Sequence, residues 1–400
     1  MTPDLPSPLP NPSCEDPQQN GIRSLKELID LVSGRSPAAE AGEGDAGLAE
    51  HIHFPFLALV GQREMKLALL LSLINPSVGG VLLVGARGTG KTTAVRGLLD
   101  LLPDVERSKC FYGCLPEEIK SGGPEAVCPA CAQKYARGES LTFVDRVRLV
   151  ELPLNATLDD VVGTIDERSR VHERLRLKPG ILARAHLNIL YIDEINLLSE
   201  NIISAILDAG AQGSYTVRRG PVVANYKARF ILIGSMNPEE GELSSQIMDR
   251  FGLRVLVRGL EEKNERYNAY ELAQKFRQHP YQVSAAFRHS TSLAASEIQH
   301  ARSILDEVHI SAEIANQSIA LIQSLHIDSL RAEISLFEAA RAHAAAENRL
   351  EVTADDISSV APFALRWRYS PFMQSFLTNQ AQADDELDKT IQKFFPEVAK

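Results

Sequence analysis

The residues best suited to chemistry form a glycine-rich loop between a short apolar run and a helical segment. After the apolar run at 81–84, the loop reads Gly85, Ala86, Arg87, Gly88, Thr89, Gly90, Lys91 and Thr92. A strand before GxxxxGK[ST] and a helix after it are the context in which this pattern binds a nucleoside triphosphate. Backbone amides and the helix N-terminus face the phosphates, Lys91 adds a positive charge, and Thr92 offers a hydroxyl to magnesium. The loop therefore predicts a site for ATP and Mg²⁺.

Two acidic residues, Asp193 and Glu194, directly follow a second apolar run at 189–192. Ligands of open α/β sheets bind at the carboxyl ends of the strands, where this pair is expected. We expect Asp193 to hold magnesium and Glu194 to polarise the water that attacks the phosphate. A solvated acidic pair at a strand end is the alternative.

A third apolar run, at 230–233, leads into Asn237. A side-chain amide at the end of this strand could orient the attacking water and sense the γ-phosphate. The alternative is an asparagine that only caps a turn.

Two arginines could supply the positive charge that ATP hydrolysis needs in its transition state, often from a neighbouring subunit. Arg250 lies just after the third predicted strand, where a subunit edge could present it to a neighbour. Arg331 begins a predicted helix, from which it could lean over the bound nucleotide. A surface salt bridge is the alternative for each.

Four of the five cysteines are closely spaced within an insertion at 105–140. Cys110 and Cys114 form a CxxxC pair, and Cys128 and Cys131 form a CxxC pair. Four thiolates at this spacing suit tetrahedral zinc. A thiol redox switch and four ordinary, unpaired cysteines are the alternatives.

The elements that must position these residues follow from the apolar pattern. Short runs at 81–84, 147–152, 189–192 and 230–233 alternate with helical segments, which is typical of buried parallel strands joined by crossover helices. After 263 only helical patterns follow. The sequence predicts an α/β fold, with a doubly wound parallel sheet in a core at 51–262 and a smaller all-helical lid domain at 263–372.

Composition limits the remaining possibilities. The segment 1–50 is rich in Pro, Gly, Ala, Ser and acidic residues and is expected to be largely disordered, and 373–400 reads as a polar C-terminal tail. A net charge of -10 argues against sequence-independent binding of nucleic acid. No apolar run is long enough for a membrane span and no secretory pattern is seen at the start, so a cytoplasmic location is expected.

Several strings in this chain are more specific than a phosphate loop, and together they resemble the AAA+ ATPase (I) subunit of magnesium chelatase. They are VGARGTGKT at 84–92, VELPLNA at 150–156, GILARA at 180–185, LYIDEINLL at 190–198, VRRG at 217–220, IGSMNPEEG at 233–241 and MDRFG at 248–252. The similarity runs from 56 to 363.

The resemblance implies an AAA+ ring, expected to be a hexamer, that hydrolyses ATP with Mg²⁺. It implies partner D and H subunits and the insertion of magnesium into protoporphyrin IX, for chlorophyll or bacteriochlorophyll. At matching positions Arg250 corresponds to the arginine finger, Asn237 to the first sensor and Arg331 to the second. Arg184 corresponds to an arginine at the nucleotide between subunits. The resemblance also implies β-hairpin insertions around 154–178 and 214–228. Not every I subunit of the family has the cysteine set, so the zinc prediction rests on the residues alone.

Two other functions share this site chemistry. A MoxR-like or other chelatase-type AAA+ ATPase would remodel a protein partner, or would serve insertion of another metal such as cobalt. A DNA-loading AAA+ protein would need Arg218 and Arg219 to follow phosphates, and the acidic balance disfavours it.

Overall fold

The computed structural model describes residues 52–110, 113–165, 177–220 and 222–368, without the side chains of Ser121 and Ile165. The predicted N-terminal arm and C-terminal tail lie outside the described residues. Among the residues described, no helix is long and apolar enough to cross a membrane.

A five-stranded parallel sheet forms the centre of the protein, as predicted. The strands are β1 (Val81–Val84), β4 (Leu149–Glu151), β7 (Ile189–Ile192), β10 (Ile231–Met236) and β11 (Leu253–Leu256). Their order in the sheet is β11-β1-β10-β7-β4. Three of them, β1, β7 and β10, are buried along their whole length, which is why their sequences read as continuous apolar runs.

Strand β11 was not predicted, because Arg254 interrupts its apolar run. Arg254 is fully buried and donates hydrogen bonds to the carbonyl oxygens of Arg366, at 2.8 Å, and Phe251, at 3.2 Å. Burial and the neighbouring Arg368 lower the pKa of Arg254 to about 9. These hydrogen bonds offset the cost of burying the Arg254 charge. From the sequence pattern alone, a charged residue at this position indicates the end of a strand.

Helices cover both faces of the sheet. The helices of the core are α1 (Arg63–Ile74), α2 (Lys91–Gly97), α3 (Pro116–Gly122), α4 (Pro129–Ala136), α5 (Leu158–Val162), α6 (Ile181–Arg184), α7 (Glu200–Gln212) and α8 (Ser245–Arg250). The C-terminal helices are α9 (Lys263–Gln278), α10 (Pro280–Ile304), α11 (Ala312–Ser324), α12 (Leu330–Ala346) and α13 (Ala354–Leu365).

Alternate residues of each strand face two separate cores. Leu82 and Leu190 face a core with α7, whereas Val81, Leu83 and Ile189 face a core that contains α1. Residues of α10, α12 and α13 belong to the second of these cores. The helical lid therefore shares one continuous core with the sheet.

Three antiparallel hairpins project from this core. Strands β8 (Ser214–Arg219) and β9 (Val222–Lys227) form one, and β5 (Gly163–Ile165) with β6 (Leu177–Pro179) forms another, each within a range where a hairpin was expected. The third pairs β2 (Val105–Ser108) with β3 (Thr142–Asp145) and carries the cysteine insertion. Its strands are short and partly exposed, so the sequence did not indicate them.

Candidate active site

The glycine-rich loop lies at the carboxyl end of β1, and α2 begins at Lys91. Gly88 and Gly90 have positive φ angles of 77° and 87°, and a Cβ atom on either would meet nothing within 4 Å. Glycine is suited to both positions because L-residues rarely adopt this conformation. The loop thus presents open backbone to a ligand.

Lys91 crosses the loop. Its side chain is buried, and Nζ donates to the carbonyl oxygens of Gly85, at 2.6 Å, and Ala86, at 2.8 Å. Burial lowers the pKa of Lys91, and the nearby carboxylates of Asp193 and Glu194 act in the opposite direction. The Lys91 ammonium is therefore placed above the loop where phosphate oxygens could replace the two carbonyl partners.

Asp193 and Thr92 lie together at the ends of β7 and the loop. Thr92 Oγ1 is 3.5 Å from Asp193 Oδ2. The Tyr191 hydroxyl lies 3.0 Å from Thr92 Oγ1 and donates to Asp193 Oδ1 at 2.9 Å. The Ser235 hydroxyl also donates to Asp193 Oδ1. A carboxylate and a hydroxyl at this separation fit one magnesium ion, which binds through few protein oxygens and keeps several waters.

Glu194 adopts a left-handed backbone conformation, with φ 51°. This conformation is uncommon for a residue other than glycine, and here its backbone N–H donates to Ser235 Oγ at 3.1 Å. The Glu194 carboxylate accepts from Arg87 Nη2 at 3.1 Å, and Arg87 also pairs with Glu240. The structure therefore brings Glu194 to the open side of the loop, beside Asp193.

Asn237 is buried at the end of β10, and its Oδ1 accepts the N–H of Glu239 at 3.3 Å. This hydrogen bond caps the turn Pro238–Glu240, which was the alternative reading of the residue. The capping bond uses the side-chain oxygen, and the sensor role stays a prediction.

Arg250 lies near the amino ends of the strands, whereas the phosphate loop lies at their carboxyl ends. It lines a cavity of about 770 Å³ with Gly79 and Gly80, which precede β1, and with Phe230, which precedes β10. Its Nη1 is 2.8 Å from Asp208 Oδ1. Since the four residues of β1 span roughly 13 Å, Arg250 is separated from the phosphate loop of its own chain by the length of the strand.

Arg331 lies at the same edge as Arg250 and not over the nucleotide site of its own chain. Its Nη1 is 3.1 Å from Asp249 Oδ2, and Asp249 directly precedes Arg250. This position follows from the packing of α12 near the start of β11, and the second-sensor role of Arg331 stays a prediction. Arg184 ends α6 with an exposed side chain.

The cysteine cluster, defined as Cys110, Cys114, Cys128 and Cys131, brings its four sulfur atoms within 4.8 Å of one another. Cys114 and Cys131 are buried, and Cys110 and Cys128 are partly buried. Burial raises the pKa of Cys114 to about 12 and raises that of Cys131 as well. The cluster belongs to the insertion between β2 and β3 and is separate from the phosphate loop.

Three residues that contact the predicted groups had not been singled out from the sequence: Tyr191, Ser235 and Glu240. Tyr191 lies in β7, two residues before Asp193, which directly follows the strand, so period-two alternation could have placed both on the same side. Ser235 and Glu240 come from β10 and the turn after it. Their contacts depend on the pairing of β10 with β7, which the sequence does not specify.

Comparisons with known proteins show which family this chain belongs to. The family model "Magnesium chelatase, subunit ChlI" matches residues 163–250, and the model "AAA lid domain" matches residues 315–390. A magnesium-chelatase subunit ChlI homolog of Methanocaldococcus jannaschii is 40% identical over 345 residues, which cover 85% of this chain and 91% of that protein. Subunit ChlI of Synechocystis sp. is 40% identical over 317 residues, which cover 79% and 88%. The chain belongs to the magnesium-chelatase subunit ChlI family.

A solved structure supports the fold of this ChlI-family chain. A candidate ATPase from Cytophaga hutchinsonii aligns over 78% of this chain and 84% of its own, with a TM-score of 0.51 at 19% identity. At this identity the likeness concerns architecture only, and it agrees with the parallel sheet and helical lid described above.

Proposed function

We propose that this chain is the ATP-hydrolysing motor subunit of a magnesium chelatase, which drives insertion of Mg²⁺ into protoporphyrin IX in (bacterio)chlorophyll biosynthesis. One observation carries the proposal: Thr92, Asp193 and Glu194 converge at the phosphate loop of a chain that belongs to the ChlI family. The reaction at this chain is hydrolysis of the phosphoanhydride of ATP, and the porphyrin is handled by its partners.

Each residue of the site has a separate role in this proposal. The loop amides and Lys91 bind the phosphates, and Thr92 and Asp193 hold magnesium, which neutralises phosphate charge when bound. Glu194 orients the water and accepts its proton. Positioned general bases of this kind contribute about 10² to 10⁴ in rate. Asn237 is the proposed sensor of the γ-phosphate.

The remaining charge comes from a neighbouring subunit. Arg250 and Arg331 lie at the edge of the sheet opposite the phosphate loop of the same chain, so neither is positioned for that nucleotide. A head-to-tail ring would bring this edge to the loop of the next chain. We propose a homo-oligomeric ring, a hexamer, in which Arg250 is the arginine finger and Arg331 and Arg184 face the shared nucleotide.

The proposed partners are the chelatase D and H subunits. ATP and Mg²⁺ are the cofactors of the nucleotide site, and zinc is the ion expected at the cysteine cluster. No nucleic acid takes part in this function, in keeping with the net charge of -10.

The test is magnesium insertion into protoporphyrin IX, followed by fluorescence, with purified D and H subunits, ATP and this chain. Insertion should depend on this chain and should fail with Glu194→Gln, which keeps ATP binding. Glu242→Gln is the matched control, since Glu242 is an exposed carboxylate in the turn that follows β10. Strong ATP hydrolysis without any insertion would instead favour an ATPase that remodels another protein.

A further inference from the structure

The four sulfur atoms of the cysteine cluster are arranged as a metal site requires. Zinc–sulfur bonds of about 2.3 Å in a tetrahedron place the sulfur atoms roughly 3.8 Å apart. Cys110 Sγ and Cys128 Sγ are 3.5 Å apart, and all four sulfurs lie within 4.8 Å of one another. The distance of 3.5 Å is far longer than a disulfide bond of about 2.05 Å. The geometry thus fits four ligands around one ion.

The backbone around the cluster supports the same arrangement. The N–H of Cys128 donates to Cys114 Sγ at 3.4 Å, so one pair of the cluster is linked to the other. Ser108 Oγ accepts the N–H of Cys110 at 3.0 Å and donates to the carbonyl oxygen of Cys114 at 2.6 Å. Both cysteines of the first pair are therefore held by one hydroxyl at the end of β2.

The insertion contains too little apolar surface to hold itself together. Of the four buried members of its core, two are cysteines, and the others are Val127 and Leu141. Its partly buried members include the other two cysteines, with Ile119 and Ala132. Small segments with so few apolar side chains usually need a disulfide or a metal ion for stability.

We propose that the cysteine cluster binds one Zn²⁺ ion as four thiolates, and that this ion holds the insertion against the hairpin β8–β9 and the start of β7. Binding releases the thiol protons and forms four zinc–sulfur bonds without any change of oxidation state. The site is structural, because all four positions of the tetrahedron are filled by protein and none remains for a substrate.

Three contacts would transmit the effect of the ion to the rest of the protein. Glu118 of α3 pairs with Lys227, the last residue of β9, at 2.5 Å. Arg107 of β2 donates to Asn188 Oδ1 at 2.5 Å, and Asn188 Nδ2 donates to the carbonyl oxygen of Arg184 at 2.8 Å. The insertion therefore contacts strand β9 of the hairpin and, through Asn188, the segment that carries Arg184.

The first experiment measures metal directly in the full chain, purified without chelators from zinc-supplemented cells. We expect about one zinc per chain by elemental analysis, released when an organomercurial reagent titrates the thiols in the presence of a colorimetric zinc indicator. Replacement by Co²⁺ should give the visible absorption of tetrahedral cobalt thiolate. A zinc content well below one per chain, with thiols that react at once, would overturn the proposal. A disulfide between two of the four cysteines would do the same and would favour the redox switch.

Substitutions distinguish the cysteine cluster from Cys14, the fifth cysteine of the sequence. Cys128→Ser should reduce zinc content to a small fraction of the unsubstituted value, whereas Cys14→Ser should leave it unchanged. Hydrogen exchange gives a readout other than activity: removal of zinc from the unsubstituted chain should accelerate exchange in 105–145 and leave that of β1 and α2 unchanged. Equal exchange with and without zinc would contradict the stabilising role even if the metal binds.

Discussion

The Arg331 guanidinium and the Asp249 carboxylate are 3.1 Å apart, and this contact holds the lid arginine beside Arg250. The same carboxylate lies 2.7 Å from Arg368 Nη1, and Arg368 also donates to the carbonyl oxygens of Phe251 and Gly252. In the proposed ring, this contact would place Arg250 and Arg331 together beside the nucleotide of the neighbouring subunit.

The shared interface predicts complementation between two inactive variants. Lys91→Ala removes nucleotide binding but keeps Arg250, whereas Arg250→Ala keeps the loop and loses the arginine. Each alone should lose most ATPase activity. In an equal mixture, interfaces that join an intact loop to an intact arginine should restore about a quarter of the activity, since contacts in the proposed ring are head-to-tail. Steady-state ATPase measurements on mixed and separate variants check this.

The control for this experiment is a mixture of Lys91→Ala with Glu194→Gln. Both substitutions remove a residue at the phosphate loop, so no interface in that mixture contains an intact loop. If the Arg250→Ala mixture also stays inactive although the rings assemble, Arg250 does not act on the nucleotide of a neighbour.

Sequence patterns indicated which residues lie together at the phosphate loop, but they did not indicate where each arginine lies. The loop and Asp193 follow directly from apolar runs that end at charged or glycine residues, because a buried parallel strand leaves a clear local signal. Arg331 differs, since its position depends on how α12 packs against α1, and no local pattern encodes that packing. Strand β11 was missed for a related reason: the buried Arg254 is acceptable only because of partners far away in sequence.

Close packing at Gly85 predicts a strong effect of one added methyl group. A Cβ atom at Gly85 would lie 2.1 Å from the carbonyl oxygen of Val257, so Gly85→Ala must displace the loop or the end of β11. We expect a loss of about 1–3 kcal/mol in the free energy of unfolding. ATP affinity should fall by about tenfold or more, because small displacements of binding groups are costly.

Gly259→Ala is the matched control for Gly85→Ala. A Cβ atom at Gly259 would meet nothing within 4 Å, so the stability and ATP affinity of this variant should stay near the unsubstituted values. Chemical unfolding and nucleotide titration measure both quantities. An unaffected Gly85→Ala variant would show that the loop adjusts freely, contrary to the packing described.

The environment of the Asp356 carboxylate predicts that substitution at this position of the lid lowers the stability of the protein. It is fully buried and accepts from Arg349, at 2.5 Å and 2.7 Å, and from the backbone N–H of Thr353 at 2.8 Å. Burial alone raises the pKa of this carboxyl, but the hydrogen bonds from Arg349, Thr353 and His343 hold the pKa well below its ordinary range. The charged form is therefore part of the fold.

Asp356→Asn should lower the free energy of unfolding by about 1.5–3 kcal/mol, since it removes the charge of a buried carboxylate that accepts several hydrogen bonds. Glu347→Gln removes a carboxylate that contacts the same arginine but is 58% exposed, and it should change stability by less than about 1 kcal/mol. Urea unfolding compares the two. Similar losses in both variants would mean that burial does not distinguish the two pairs.

The burial of His186 predicts that the free energy of unfolding depends on pH. Burial lowers its pKa to about 4, and the nearby cations Arg229, Lys227 and Arg107 act in the same direction, against Glu118. In the unfolded chain the histidine pKa is about 6.5. Between pH 4 and pH 6.5 the unfolded chain therefore binds a proton at this histidine that the folded chain does not bind. Stability must therefore fall as the pH falls from 6.5 toward 4.

His186→Asn should reduce this loss. Asparagine can still accept the N–H of Arg229, which donates to His186 Nδ1 at 3.2 Å, but it does not titrate. The drop in unfolding free energy between pH 7.5 and pH 5.0 should shrink by roughly 2 kcal/mol relative to the unsubstituted chain. His289→Asn, at an exposed position of α10, should leave the drop unchanged. An equal drop in all three proteins would show that His186 is protonated as readily in the folded chain as in the unfolded one.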